Sequence, residues 1–410
     1  MSLAEFPSKI YVIGYYNHHN LGDEQYKITF KYVLENLRKY HEFNIAPGLL
    51  TSVPFPADHI TFVDCDNIFS IVNPPKNSLF LLGGGDVLNH YFLDKINDYV
   101  DNLRRVDPAP TGLPRFIAFS VGVPYNTIFT LKEHVWKLRI FEHIFLRTHQ
   151  DISNMELCFK EHRIQTKIHY IPDTSCMLPE AIHYALDAEP KDHAGPKLDT
   201  KITEFISAQS KRRIIGIFLC RHIYHPKYLE RYQKITRELA RMLDQLITMN
   251  YSIILVPMNT KPCPQSAAET NRENDVFIQR DIMKLVRPYT KKLTWSIEEE
   301  LTPAQVMVLY KSFYMTIPMR FHATLFSVYN HVPMIPIYTT KKIKNFLLDI
   351  DWRHSYMMDK DSYDIPTKMD YHSVIRIIQY LSITKNYFDA KRKLRGVGFY
   401  FKSALEKKFK

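Results

Sequence analysis

Ile10-Tyr11-Val12-Ile13-Gly14-Tyr15-Tyr16-Asn17-His18-His19-Asn20-Leu21-Gly22-Asp23-Glu24 is the stretch on which the fold assignment turns. An apolar, β-branched run ends on a glycine, a polar turn follows, and Tyr26, Phe30, Val33, Leu34 and Leu37 then recur at i, i+4, i+7, i+8 and i+11, one face of a helix. The chain therefore begins with a βα unit. Its glycines are eight positions apart, so the Gly-x-Gly-x-x-Gly dinucleotide fingerprint is absent and a hydride-transfer enzyme loses its main support. The simpler reading of the turn has Gly22 permitting it while Asp23 and Glu24 complement the positive end of the helix dipole. A functional reading places Asn20, Asp23 or His18 at the mouth of a sheet, where they bind hydroxyl groups or serve as a base.

Working outward, short β-rich runs alternate with amphipathic stretches, the pattern of βαβ units and a parallel sheet. The first half predicts strands over 10–15, 59–64, 78–82, 115–120, 143–147 and 167–171. From about 186 to 213 the chain turns rich in Asp, Lys, Pro and Ala, the character of a linker. Alternation then restarts, with strands expected over 214–220, 252–257, 313–318 and 334–338, and helices over 228–249, 275–286, 303–311, 322–330 and 341–348. The expected organisation is a Rossmann-like domain over 1–190, a linker over 191–212, a second Rossmann-like domain over 213–375 and a basic helical tail over 376–410. Two such domains enclose a cleft at the carboxyl ends of their strands.

Composition narrows the class. The 410 residues are ample for two cores. Average usage would place about 29 glycines in such a chain. There are 12, so each is worth locating. Net charge is +11, but +7 of it lies in 381–410, so no basic face spread over the body suggests nucleic-acid binding, and the tail reads as a solvated helix. The five cysteines are scattered without a Cys-x-x-Cys pair, which fits a reducing compartment and argues against structural zinc. With no signal-peptide design and no long apolar run, the expectation is a soluble cytoplasmic protein without a transmembrane segment.

Further segments carry chemistry. Leu81-Leu82-Gly83-Gly84-Gly85-Asp86-Val87 is again a strand running into a turn. Its glycines serve either a backbone that cradles an anion or close strand–helix packing with Asp86 as a cap. Met319-Arg320-Phe321-His322-Ala323-Thr324-Leu325 sets a guanidinium and an imidazole two residues apart where the chain turns. Arg221 follows the first strand of the same domain. Two strand-end arginines fit an anionic ligand with more than one charged group. His222 and His225 lack the cysteine or carboxylate partners of a metal pattern, so no metal site is assigned.

In order, these pieces resemble the polysaccharide pyruvyl transferase family. The resemblance rests on Gly14-Tyr15-Tyr16 with Asn20-Leu21-Gly22-Asp23-Glu24, Gly83-Gly84-Gly85-Asp86, Ile171-Pro172-Asp173, Arg221, and Arg320-Phe321-His322 leading to Val332-Pro333-Met334-Ile335-Pro336-Ile337-Tyr338 and Lys341-Lys342. It covers roughly 10–350. Arg147-Thr148-His149-Gln150-Asp151-Ile152-Ser153 departs from it, with wider spacing between the arginine, the acid and the serine. The resemblance implies a glycosyltransferase-B-like fold. It also implies transfer of pyruvate from phosphoenolpyruvate onto two hydroxyls of a sugar, giving a cyclic ketal and phosphate, with no further cofactor. It makes Arg320 and His322 catalytic. The residue chemistry agrees: Arg221 and Arg320 with Lys341 or Lys342 supply cations for the donor, the Gly84 and Gly85 backbone is open to an anion, Asn20 is a candidate for the acceptor, and Asp23, Asp86 or His322 after turnover are candidates for the base. A nucleotide-sugar glycosyltransferase of the same architecture, or a non-catalytic carbohydrate-binding descendant, are the alternatives.

Overall fold

The computed structural model describes residues 8–36, 59–75, 77–106, 114–123, 134–188, 196–261, 273–338, 340–360 and 366–409. Leu37, Gly48, Gly112, Gly195 and Cys263 lie outside them. The chain divides into two compact units, the first comprising residues 1–18, 23–189 and 400–410, the second 19–22 and 190–399.

The first unit is a six-stranded parallel sheet in the order β2-β1-β3-β4-β5-β6, formed by β1 (Ile10–Gly14), β2 (Ile60–Asp64), β3 (Leu79–Gly83), β4 (Arg115–Val121), β5 (Phe141–Leu146) and β6 (Lys167–Tyr170). Its crossovers include α1 (Leu21–Asn36), α2 (His90–Val106) and α3 (His149–His162), and α4 (Leu178–Ala188) follows β6. Strands β1 and β3 are buried at every position, which is why they read as near-continuous apolar runs rather than alternating ones. The predicted stripe of α1 faces inward, with Tyr26, Phe30, Val33 and Leu34 all buried.

The second unit carries a four-stranded parallel sheet in the order β10-β7-β8-β9, from β7 (Arg213–Phe218), β8 (Tyr251–Leu255), β9 (Thr294–Ser296) and β10 (Phe313–Pro318). Its helices are α5 (Thr200–Ala208), α6 (Leu229–Thr248), α7 (Val276–Leu285), α8 (Pro288–Lys292), α9 (Pro303–Tyr310), α10 (Phe321–Tyr329), α11 (Lys341–Asp349), α12 (Tyr371–Ser382) and most of α13 (Thr384–Phe409). Three residues of β9 gave too short an apolar run to be read as a strand. Of the stretch expected as a strand over 334–338, only Ile337–Tyr338 pairs regularly, while Met334 forms an isolated bridge to Thr316.

Two expectations need revision. The segment read as a linker holds α5, which Asp199 caps by accepting the Lys201 amide at 2.7 Å and which buries Ile202. The basic tail is helical, as expected, but not simply solvated: α13 buries Ala390, Leu394, Phe401 and Leu405, and Tyr387 stacks on Tyr314 with ring centres 4.3 Å apart. Four apolar anchors on one side make it a docked amphipathic helix.

Each sheet has a topological switch point, where the chain leaves a central strand first to one side and later to the other. In the first unit it lies between β1 and β3, in the second between β7 and β10. Open α/β sheets bind ligands at the carboxyl ends of such strand pairs. Gly14 and Gly83 end one pair; Phe218 and Pro318 end the other.

Candidate active site

Arg221 and Arg320 lie just beyond the two strands of the second switch point, where Phe218 pairs in register with Pro318. One residue binds these two loops together. Asp275, fully buried, grips Arg320 side-on, with Nε at 3.1 Å from Oδ2 and Nη2 at 2.5 Å from Oδ1. The same carboxylate accepts the Arg221 amide at 2.9 Å, the Met258 amide at 3.3 Å and the Asn259 amide at 3.1 Å. A buried charge is tolerable when its lone pairs are all used, and these five bonds use them. Asp275 directly precedes α7, so the sequence shows it only as a helix-start residue; its partners come from three other loops.

His322 occupies the first turn of α10, with Arg320 as the extended residue before the helix. The imidazole is buried and makes edge contact with Phe321 at 5.6 Å. On another side it meets backbone: a Cβ on Gly22 would stand 2.1 Å from His322 Nδ1. No side chain fits there, so glycine sets how the histidine ring is held. The segment carrying Gly22 is fastened in the second unit by the Leu21 amide to the Met258 carbonyl at 2.8 Å and the Thr260 amide to the His19 carbonyl at 3.0 Å. Asn20 accepts the Gly22 amide at 3.1 Å. Asn20 thus belongs to the second unit and shapes the turn.

Lys341 and Lys342 begin α11, whose first turn holds no acidic residue. Lys342 Nζ lies 4.5 Å from the centre of the Phe321 ring, which brings it to the Arg320-Phe321-His322 turn.

Arg221 is directed to a different wall. Its guanidinium donates to Asp281 Oδ2 at 2.8 Å and to the Tyr232 hydroxyl, and stands over the rings of Tyr224 and Tyr232 at 4.2 and 4.8 Å. Burial pushes the Tyr232 hydroxyl well above the usual phenol range. Together with Phe277 and Lys284 these residues line a groove of about 540 Å³ between α6 and α7. His222 is exposed and His225 Nδ1 accepts the Lys227 amide at 3.1 Å, a capping role.

In the first unit Gly83 and Gly84 are closely packed. Gly84 has φ +71°, and a Cβ there would stand 2.3 Å from the Tyr26 ring; a Cβ on Gly83 would meet Phe30 at 2.7 Å. Gly85, with φ +81°, is less crowded, its nearest contact being Asp23 at 3.4 Å. Gly84 and Gly85 thus lie in the first unit, whereas Arg221, Arg320, Lys341 and Lys342 lie in the second. Asp86 pairs with Arg147, whose guanidinium also donates to Asp173 at 2.8 Å and to the Tyr26 hydroxyl at 2.9 Å. Burial opposes the charge on Arg147, but Tyr26, Asp86 and Asp173 outweigh it and hold its pKa above the ordinary value. Ser153 is exposed on α3 and bonds back to the His149 carbonyl at 3.2 Å.

Among the described residues, His18, Asp64 and Asp66 bring ligating atoms within 4.8 Å of one another. Of these, Asp66 accepts from Lys95 and Tyr91, which hold its carboxyl below the usual range.

The polysaccharide pyruvyl transferase profile matches residues 5–341. Among curated proteins none matches the chain by sequence. Of solved structures, a trehalose-6-phosphate synthase, OtsA, is similar at 10% identity and TM-score 0.50, over 94% of this chain and 82% of that one. An α,α-trehalose 6-phosphate synthase from Burkholderia multivorans is similar at 10% identity and TM-score 0.50, over 84% and 70%. These likenesses are of fold, glycosyltransferase-B-like. With the profile spanning most of its length, the chain belongs to the polysaccharide pyruvyl transferase family.

Proposed function

We propose that the protein moves pyruvate from phosphoenolpyruvate onto two hydroxyls of one sugar, forming a cyclic ketal and releasing phosphate. The observation that carries this reading is the Asp275 clamp, which fixes Arg320 and the Arg221 loop at one switch point with His322 two residues on. The donor bears a phosphate and a carboxylate, and Arg320 with Lys341 and Lys342 supplies matching cations. Arg221 joins them if an anion competes with Asp281 for its guanidinium.

His322 protonates the methylene carbon of the donor: the carbon–carbon π pair takes the proton, leaving a methyl group and an oxocarbenium-like centre at the ketal carbon. One sugar hydroxyl adds to that centre and gives up its proton. The bond from carbon to the phosphate oxygen then breaks with its electron pair on phosphate, and the second hydroxyl closes the ring. Of the two hydroxyl protons, one replaces that spent on the methyl group and the other leaves with phosphate. His322, deprotonated once it has protonated the donor, is the base in this scheme and recovers its proton from the hydroxyl; Asp86, bound to Arg147, contributes to the shape of its turn.

The test incubates purified protein with phosphoenolpyruvate and candidate glycans, following phosphate release and a mass gain of one pyruvate less one water. His322→Ala should abolish both while keeping the wild-type melting temperature. Phosphate release at the wild-type rate by that variant, or stabilisation by nucleotide sugars and not by phosphoenolpyruvate, would overturn the assignment.

A further inference from the structure

We infer that α13 is a docking face for an anionic membrane surface, a property independent of the pyruvyl-transfer reading. Up to residue 399 the helix is fixed to the second unit by one side. Leu394 is fully buried, Tyr387 stacks on Tyr314 and donates to its carbonyl at 3.0 Å, and Gly398 packs beside His331.

The opposite side is unusual. Phe388 is 61% exposed and Phe399 73%, with Ile383 also exposed just before the helix. Single exposed apolar residues need no explanation. These two phenylalanines, however, are eleven positions apart, which at 100° per residue places them within about 20° of each other and about 16 Å apart along the axis. They form one stripe. By the same geometry Arg395 and Arg392 fall about 20° and 40° to either side of Phe388, with Lys385 and Lys391 about 60° away. Lys385, Arg392 and Arg395 are exposed.

The arrangement selects its partner. A helix that binds nucleic acid brings its cations to the centre of the contacting face. Here the centre is phenylalanine and the cations flank it. That is the layout of a helix lying in a bilayer interface, rings at the acyl boundary and Lys and Arg reaching up to headgroup phosphates. The charge distribution agrees, since 381–410 holds nine basic and two acidic residues against a nearly balanced remainder. Such contact requires no spanning helix, and among the described residues none is long and apolar enough to cross a membrane.

The full-length protein is to be sedimented with vesicles of phosphatidylcholine alone and with vesicles containing phosphatidylserine. Wild type should pellet with the anionic vesicles, less so as salt is raised. The Phe388→Ala, Phe399→Ala double variant and the Lys385→Glu, Arg392→Glu, Arg395→Glu triple variant should each bind at least about tenfold more weakly, with unchanged circular dichroism and melting temperature. The inference fails if wild type pellets equally with both vesicle types or with neither, if the double phenylalanine variant binds as wild type does, or if a single-stranded RNA is bound through these side chains while vesicles are not.

Discussion

The two switch points occupy equivalent places in their sheets and are used differently. Beyond β1 and β3, the Arg147 guanidinium lies between the Asp86 and Asp173 carboxylates and meets the Tyr26 hydroxyl. Aromatic rings press on the adjoining glycines. Beyond β7 and β10, Arg320 is gripped by Asp275, whose remaining capacity is spent on backbone amides, and lysines stand at a neighbouring helix start. A cation shared by two carboxylates is a lock. A cation gripped along one edge by a single carboxylate, with lysines at a neighbouring helix start, is the arrangement on which the proposed donor site rests.

The largest expected effects test that contrast directly. His322→Ala should lower the rate of phosphate release about a thousandfold or more with little change in melting temperature, whereas Arg320→Ala should lower it comparably and also destabilise the fold, because it strips the guanidinium from the fully buried Asp275 carboxylate. Steady-state kinetics beside thermal denaturation will show it. Conversely, Asp173→Asn leaves Arg147 short of a buried partner and should cost about 3–5 kcal/mol of stability. Urea unfolding measures that loss, and the folded variant should keep its KM for phosphoenolpyruvate. A raised KM with intact stability would place ligand binding at the first switch point and reverse the comparison.

Gly22→Ala should act on the second switch point alone. Its Cβ would meet Nδ1 and Cγ of His322, so the ring must turn, and kcat should fall about tenfold or more with a smaller change in KM. Equal loss in an unrelated stability assay would show that the turn, not the ring, was disturbed.

Histidines in both units set a pH response. Burial holds His143, His331 and His354 below the ordinary imidazole value of 6.5. Above that value these rings are neutral in folded and unfolded chains alike. As the pH falls through it, the unfolded chain takes up protons first, so stability should decline from about pH 7 towards pH 5. Melting temperatures across that range will test the sign. The smallest effect belongs to Gly396, a helical position where an added methyl group would have nothing within 4 Å: Gly396→Ala should raise stability by about 0.5–1 kcal/mol.

Much of the fold was readable because buried parallel strands must be apolar throughout, and the segments predicted over 115–120 and 313–318 coincide closely with β4 and β10. The helix within the supposed linker was hidden, since only Ile202 of its residues is fully buried and its cap, Asp199, resembles any polar loop residue. Arg320, His322 and Arg221 became candidates from their chain position, as residues following strands, and from the family resemblance. Asp275 was missed because an aspartate at a helix start has an ordinary capping explanation, and Asp281 because a charged residue inside an amphipathic helix reads as part of its solvated face.

By itself the sequence determined most of the strands and helices, that the chain is two-part α/β, and which short motifs stand at strand ends, because those properties follow from local periodicity and residue order. Only the tertiary structure decided how each arginine is held. That depends on how carboxylates reach each guanidinium from distant loops, and on a glycine from the first βα turn pressing against His322. Burial sets those charge balances, and burial is not local in sequence.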